Sequence, residues 1–210
     1  MQWKHRAAAL AAAWLLACAG AQAAPSQATG RQQQPTADAR EMAQWVQRTR
    51  DAGGRPYVIV DKKAAMLFVH AASGRMMAAT PVLLGAARGD EGAPGVGDRA
   101  QSGTLPFEER TTPAGRFVTQ PGTNLEGEPV VWFDYDAALA IHRLRPGRAH
   151  NIRAARLAHS QPEERRVSLG CVVVPVKFYL DVIQPLLGRR SGVVYVLPET
   201  QPMHERMLDL

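Results

Sequence analysis

Cysteine is scarce in this chain: the 210 residues include two, Cys18 and Cys171. Cys18 lies in an apolar segment near the N-terminus, so a protein processed after that segment keeps Cys171 alone. An exported protein with a single thiol is unusual because an oxidising compartment pairs thiols into disulfides. Cys171 is therefore a buried inert residue, one half of an intermolecular disulfide, or a reactive nucleophile.

A hydrophobic run long enough to span a membrane is also lacking. The N-terminal apolar stretch covers residues 7–19, whereas a helix needs about 20 apolar residues to cross a bilayer. Lys4 and Arg6 precede the stretch, and a small-x-small cleavage site ending at Ala23 follows it. This is the pattern of an export signal. We therefore predict a signal peptide over residues 1–23 and an exported, periplasmic protein.

A second interpretation of the same segment stays open. Leu15–Cys18 resembles a lipoprotein lipobox, in which Cys18 is lipidated and anchors the protein to a membrane. The formal net charge of +6 alone is compatible with nucleic acid, membrane or acidic substrates. An exported protein rarely meets nucleic acid, so we expect no nucleic-acid partner, and a membrane contact only if Cys18 is lipidated.

The rest of the chain has the composition of a globular protein, with 46% hydrophobic and 21% charged residues. Residues 24–54 are predicted to form a polar linker followed by an amphipathic helix, with Thr36 as its N-cap. Residues 55–199 are predicted to form one mainly β domain with one or two short helices, and residues 200–210 a C-terminal tail. The fold class predicted for the whole is a β-sandwich preceded by an N-terminal helix.

Strands are predicted from short apolar runs bounded by turn residues. The runs are 57–61, 65–69, 76–84, 130–133, 138–142 and 193–197, and a helix that breaks near Pro185 is predicted to follow Pro175. The Gly-rich segment 85–103 lacks the spacing of a phosphate-binding loop and is predicted to be a surface loop or a lid near a cleft. The histidines show no metal-ligand spacing, so no metal and no cofactor are expected.

The chemistry is expected at Cys171. Gly170 precedes it and lets the backbone approach a substrate closely. The helix after Pro175 is expected to lower the pKa of the thiol through its N-terminus. A cysteine nucleophile needs a base, and His142 is the leading candidate because it ends a predicted strand, where its backbone is held rigidly. His150, in the basic segment that follows, is the runner-up.

Four motifs together resemble the catalytic domain of the YkuD-type L,D-transpeptidase family, over roughly residues 55–199. They occur in the family's order: Tyr57–Lys62 is similar to the opening strand, and Thr112–Phe117 to the Thr-Pro-x-Gly-x-Phe/Tyr element. Ile141-His142 is similar to the strand end that carries the family's base. Ser168–Val172 resembles the Ser-His-Gly-Cys-Ile/Val signature. Each motif is weak alone, and their joint occurrence in one chain is specific.

This chain departs from the family pattern at two positions. Leu169 stands where the family has His, and Val173 stands where it has Arg or Asn. The stretch from His142 to Cys171 is also longer than is usual, and the additional residues are rich in arginine. The catalytic efficiency and the substrate choice of this protein are therefore expected to differ from those of the family.

The resemblance implies acyl transfer on peptidoglycan stem peptides through a thioester on Cys171, with His142 as the base. Ser168 is expected to shape the loop, and the backbone N–H groups of Gly170 and Cys171 are candidates for holding the oxyanion. The arginine-rich segment is either a solvated surface or a binding site in which Arg166 holds a stem-peptide carboxylate.

The sequence is compatible with three functions. The first is an L,D-transpeptidase that crosslinks or remodels the cell wall. The second is an L,D-carboxypeptidase or crosslink hydrolase that uses water in place of an acceptor amine. The third is a wall-binding relative without turnover.

Overall fold

The computed structural model describes residues 34–208. The predicted signal peptide, Cys18 and the first part of the predicted linker lie outside the described residues. None of the helices in the described part is long and apolar enough to cross a bilayer.

The eleven strands of residues 34–208 form three sheets. The first sheet has the order β3-β2-β1-β11-β5, the second the order β10-β8-β7-β6, and the third pairs β4 with β9. The strands are β1 Tyr57–Asp61, β2 Met66–His70, β3 Met76–Pro81, β4 Leu84–Gly85, β5 Gly115–Val118, β6 Gln120–Thr123, β7 Pro129–Asp134, β8 Leu139–Arg143, β9 Arg166–Ser168, β10 Val172–Val174 and β11 Val193–Val196.

The helices are shorter and lie around the sheets. They are α1 Ala37–Thr49, α2 Val96–Ser102, α3 His150–Ala158, α4 formed by the consecutive segments Val176–Phe178, Tyr179–Ile183 and Gln184–Leu187, and α5 His204–Leu208. Single 3₁₀ turns occupy Phe107–Glu109 and Pro162–Arg165. The predicted fold class, a mainly β domain preceded by an N-terminal helix, is confirmed, with a few short helices where one or two were predicted.

Helix α1 begins where its sequence predicts. The Thr36 hydroxyl accepts a hydrogen bond of 3.1 Å from the Ala39 N–H, which satisfies one of the free donors of the first turn. Met42 and Val46 pack against the outer face of the first sheet, in one cluster with Tyr57 and Ile59. The helix therefore belongs to the domain.

The main core lies between the first and second sheets. All five residues of β1 are buried because its two faces are both covered. Val58 and Val60 face the second sheet, while Tyr57 and Ile59 face α1. The inner cluster also includes Ile141 of β8 together with Val172 and Val174 of β10, and residues of α4.

Several predicted elements differ from those observed. The single strand predicted over 76–84 ends at Pro81, because proline has no N–H for the ladder, and β4 pairs in another sheet. Helix α2 lies inside the predicted loop 85–103, with glycines in the left-handed conformation at both ends. Helix α3 lies in the basic segment predicted to lack structure, and Leu157 is its one buried residue.

Helix α4 also continues further than predicted. It runs through Pro185 to Leu187, because the wider π turn over Tyr179–Ile183 accommodates a proline that cannot donate a helical hydrogen bond. Residues beyond 199, predicted as a tail, pack on the domain: Met203 and Met207 join the cluster of α1.

A buried ion network connects four parts of the chain. The Lys62 ammonium is fully buried and donates to Asp90 Oδ1 at 2.7 Å and to the carbonyls of Gly89 and Thr112 at 2.5 and 2.8 Å. Glu199 lies 3.6 Å away. Burial lowers the pKa of Lys62, and Asp90 opposes that shift. Burial alone raises the pKa of Asp90, but hydrogen bonds from Lys62 and Thr200 hold it well below its usual range.

Removal of this ammonium takes away the buried cation that pairs with Asp90. We expect Lys62→Ala to lower the free energy of unfolding by about 3–5 kcal/mol, measured by chemical denaturation. Lys63→Ala is the matched control, because Lys63 is half-exposed and pairs with Asp38 at the surface. The control is expected to change stability by less than about 1 kcal/mol. Equal effects of the two substitutions would contradict this account.

Candidate active site

Parallel pairing of β8 and β10 brings the predicted nucleophile and base together. The register places Val172 beside Ile141 and Val173 beside His142. Cys171 directly precedes β10, two residues before Val173, so the pairing brings it to the same part of the sheet as His142. The sequence predicted the two residues from separate motifs, and the sheet places them in one region of the fold.

Both side chains open into one cavity of about 160 Å³. Its lining residues are Leu83, His142, Arg145, Arg153, Val167, Ser168, Leu169, Cys171 and Val173. Cys171 is partly exposed as a residue, although its thiol group is buried, and His142 is 8% exposed. The thiol forms no disulfide within the described residues. The cavity is therefore lined by both a free thiol and an imidazole.

The proton position on His142 follows from its hydrogen bond. Nδ1 lies 2.8 Å from the Arg143 carbonyl, which accepts only, so Nδ1 carries the proton and Nε2 keeps its lone pair. Burial lowers the pKa of His142 to about 4; the bond to Arg143 opposes this, and the charges of Arg145 and Arg153 add to it. At neutral pH the ring is a neutral base.

The thiol is neutral as well. Burial raises the pKa of Cys171, and contacts with the Ala140 backbone and the Arg145 charge only partly oppose this. Sγ lies 3.5 Å from the Ala138 carbonyl, to which the S–H donates. The expectation that a helix N-terminus lowers this pKa is wrong, because β10 separates Cys171 from α4, which begins at Val176.

The loop before Cys171 is held by the side chain of Ser168 and by the conformation of Gly170. Ser168 Oγ donates to the Cys171 carbonyl at 2.7 Å and accepts from the Gly170 N–H at 3.1 Å. Gly170 has φ of 135°, and a Cβ there would lie 2.6 Å from the Thr111 carbonyl oxygen. Ser168 thus bonds to both sides of the loop, as a shaping role requires. The Gly170 N–H already donates to Ser168, which favours the Cys171 N–H of the two candidate oxyanion donors.

Thr112 is a positioning residue that the sequence indicated only as part of a turn. Its buried hydroxyl donates to the Gly170 carbonyl at 2.8 Å and accepts from the Gly85 N–H at 2.9 Å. The Thr112 carbonyl in turn accepts from Lys62. The Thr-Pro-x-Gly-x-Phe element therefore fixes the backbone one residue before Cys171.

Two other predicted site residues lie away from the cavity lining. Arg166 forms an ion pair with buried Glu199 and donates to the Lys62 carbonyl at 3.1 Å, so it belongs to the buried network. His150 begins α3, where its Nδ1 lies 3.0 Å from the Arg145 carbonyl. The arginines that line the cavity are Arg145 and Arg153, which the sequence did not distinguish from their neighbours.

The two departures from the family signature also lie at the cavity. Leu169 is 42% exposed on its wall, where an imidazole stands in the family pattern. Val173 is buried and exchanges two backbone hydrogen bonds of 2.9 Å with Leu83. His142 is consequently the one imidazole among the lining residues.

The described residues contain no cluster of three or more His, Cys, Asp or Glu side chains that could hold a metal ion. The arrangement of the cavity is that of a thiol with a neutral base and nearby cations. It is suited to nucleophilic attack on a carbonyl carbon.

We expect the Thr112 hydroxyl to stabilise the site loop. Thr112→Val keeps the shape but leaves the buried Gly85 N–H and Gly170 carbonyl without a partner, at about 1–3 kcal/mol for each group. Chemical denaturation should show a loss of about 2–6 kcal/mol for the two groups together. Thr112→Ser keeps the hydroxyl and should lose about 1 kcal/mol, for one buried methyl group. A serine variant as unstable as the valine variant would show that packing, and not hydrogen bonding, matters here.

We expect slow alkylation of Cys171 at neutral pH. Iodoacetamide reacts with the thiolate, and the raised pKa keeps the thiol protonated. The rate constant, followed by mass spectrometry, should be below that of a free cysteine peptide at pH 7 and should still rise above pH 9. A fast rate that is independent of pH from 6 to 8 would instead indicate a thiolate–imidazolium pair.

The chain was compared with known proteins. No family model and no curated protein matches it. Similar solved structures include an L,D-transpeptidase from Xylanimonas cellulosilytica, 17% identical over 68% of this chain and 60% of that one, with a TM-score of 0.39. Another is an L,D-transpeptidase from Mycobacterium smegmatis, with 15% identity, coverages of 68% and 58%, and a TM-score of 0.38.

The catalytic domain of an E. faecium L,D-transpeptidase is 19% identical over 69% of this chain and 98% of that one, with a TM-score of 0.35. The chain thus spans about three fifths of the length of the first two structures. At such identities and TM-scores the likeness is one of fold alone and assigns no chemistry to this chain.

Proposed function

We propose that the protein is a cysteine acyltransferase acting on peptidoglycan stem peptides, an L,D-transpeptidase, with Cys171 as nucleophile and His142 as general base. One observation carries the proposal: His142 on β8 and Cys171, directly before the parallel neighbour β10, line one cavity. The hydrogen bond from Nδ1 to the Arg143 carbonyl leaves Nε2 as the basic nitrogen. The motifs that resemble the family supply the substrate class.

In the acylation step, Sγ attacks the carbonyl carbon of the third stem residue while its proton passes to His142 Nε2. The S–C bond forms, and the negative charge develops on the carbonyl oxygen, where the Cys171 N–H is the backbone donor. The C–N bond to the terminal D-residue then breaks. The proton on Nε2 passes to the departing nitrogen, so a free amino acid leaves and a thioester remains.

In the second step, an amine of a neighbouring stem attacks the thioester carbon and gives its proton to His142. The C–S bond breaks, the thiol recovers a proton, and a new amide joins the two stems. Water in place of the amine gives a shortened stem, which is the hydrolase alternative. The proposal also implies export directed by the segment 1–23. In the alternative, the exported protein is anchored to a membrane by a lipid on Cys18.

We expect Cys171→Ala to abolish consumption of a defined tetrapeptide muropeptide. His142→Gln should lower kcat/KM by about 10²–10⁴, the contribution of a general base. His150→Gln is the matched control and should stay near the wild-type rate, since His150 does not line the cavity. Chromatography of the products distinguishes dimers, for transfer, from shortened monomers, for hydrolysis. Turnover retained by Cys171→Ala would exclude both enzymatic functions.

The neutral thiol–imidazole pair predicts a low acid limit for activity. Because the pKa of His142 is lowered to about 4, its base form persists well below pH 6.5. The ratio kcat/KM should fall only as the pH approaches about 4 and should be flat from about pH 5 to 7. An acid limb near pH 6.5 would contradict the buried, neutral base.

Unfolding is the control for this profile. His70 is also buried, and burial lowers its pKa to about 4. The unfolded chain therefore binds protons that the folded chain does not between pH 6.5 and 4, and stability decreases as the pH falls through this range. Circular dichroism at each pH shows whether the protein is still folded where activity is measured.

A further inference from the structure

The charged groups at the cavity are all of one sign. Among its lining residues are Arg145 and Arg153, and none is acidic. Both charges act on the candidate catalytic groups. The charges of Arg145 and Arg153 contribute to the lowered pKa of His142, and the charge of Arg145 also acts on the pKa of Cys171. A cavity whose lining side chains include two cations and no acid favours an anionic ligand.

The nearest acidic side chain does not neutralise these arginines. Glu128 Oε1 accepts from Arg143 at 2.5 Å, and its Oε2 lies 3.6 Å from Arg145 Nε, beyond hydrogen-bond length. One carboxylate thus lies between two guanidinium groups. Arg145 Nε is buried and has no hydrogen-bond partner in the described structure. Arg153 is exposed and takes part in none of the ion pairs found among residues 34–208.

Two arginines nearby that do not line the cavity have other partners. Arg156 pairs with Glu164, and Arg166 pairs with Glu199. Arg145 and Arg153 are the arginines of this basic segment that line the cavity. The fork of a guanidinium matches a carboxylate with two parallel hydrogen bonds.

We propose that Arg145 and Arg153 bind the terminal carboxylate of the acyl donor and so select donors whose leaving residue is the free C-terminal acid. This inference rests on the proposed function and deepens it. In a peptide that ends one residue after the scissile bond, the carboxylate carbon is three bonds from the attacked carbonyl carbon, roughly 3–4 Å away. It must then lie in the same small cavity as Sγ, whose walls carry these two charges.

Helix α3 brings Arg153 to the cavity. Arg153 is on α3, the helix inside the long segment between base and nucleophile. Leu157 of the same helix packs with Leu83, Leu144 and Val173, and this small cluster holds α3 against the cavity. This segment thus supplies a positive charge at the cavity. The signature itself supplies none there, since Val173 stands where the family has Arg or Asn.

The test compares two tetrapeptide donors that differ only in the terminal group, a free acid and a carboxamide. The wild-type protein should use the acid with a kcat/KM about 10- to 100-fold higher. Arg145→Gln and Arg153→Gln should each reduce this preference by about tenfold. The ratio between donors cancels any effect of the substitutions on the thiol or the imidazole. Equal losses on both donors, or no loss, would overturn the inference.

Arg148→Gln is the matched control. It removes the same charge from the same basic segment, and Arg148 is exposed outside the cavity lining. It should leave the donor preference within about twofold. A loss of preference as large as that of Arg153→Gln would show that net charge, and not a local carboxylate site, selects the donor.

Binding of the same two peptides to the Cys171→Ala protein, by titration calorimetry, separates this inference from the proposed function. Tighter binding of the acid that is lost in Arg145→Gln or Arg153→Gln supports the site even if the wild-type protein turns over neither donor. Turnover of both donors at equal rates would support the acyltransferase and overturn the carboxylate site. Equal binding of both peptides, or no binding of either, would also overturn it.

Discussion

The buried ammonium of Lys62 is the interaction on which the site depends most. It contacts Asp90, Gly89 and Thr112, and through them it fixes the loop after β4 and the segment before β5. Thr112 then holds the Gly170 carbonyl, one residue before Cys171. A buried charge is costly unless it is fully paired, so this network tolerates few arrangements of the backbone around it. Cys171 is therefore positioned through contacts that run from the Lys62 ammonium to Thr112 and from Thr112 to Gly170.

The electrostatics of the cavity favour a neutral thiol and a neutral imidazole. Burial disfavours the charged form of both groups, and so it raises the pKa of Cys171 and lowers that of His142. Arg145 and Arg153 lower the pKa of the imidazole further, whereas Arg145 opposes the raised pKa of the thiol. Proton transfer from Sγ to Nε2 would thus accompany attack on the substrate and would not precede it. An anionic substrate group beside the arginines reduces the cost of forming the imidazolium.

The elements that could be predicted are those with a local signal. Thr36 caps α1, and the apolar runs around Val58, Leu67 and Ile141 are strands because alternating or continuous burial needs apolar side chains. Helices α2 and α3 were missed for the opposite reason. Helix α2 lies between glycines, and α3 buries only Leu157, so neither shows an apolar stripe of helical period.

By itself the sequence predicted the residue types of the candidate site, namely Cys171 after a glycine and His142 at a strand end, because each stands in a short motif. Only the tertiary structure decided that both line one cavity, since their positions follow from the pairing of β8 with β10. It also decided which arginines line the cavity: Arg145 and Arg153 do, whereas Arg166 is held by Glu199. The ion-pair partners and the burial of a side chain depend on segments that are distant in sequence. Partners and burial together set the charge of a cavity and the pKa of a thiol.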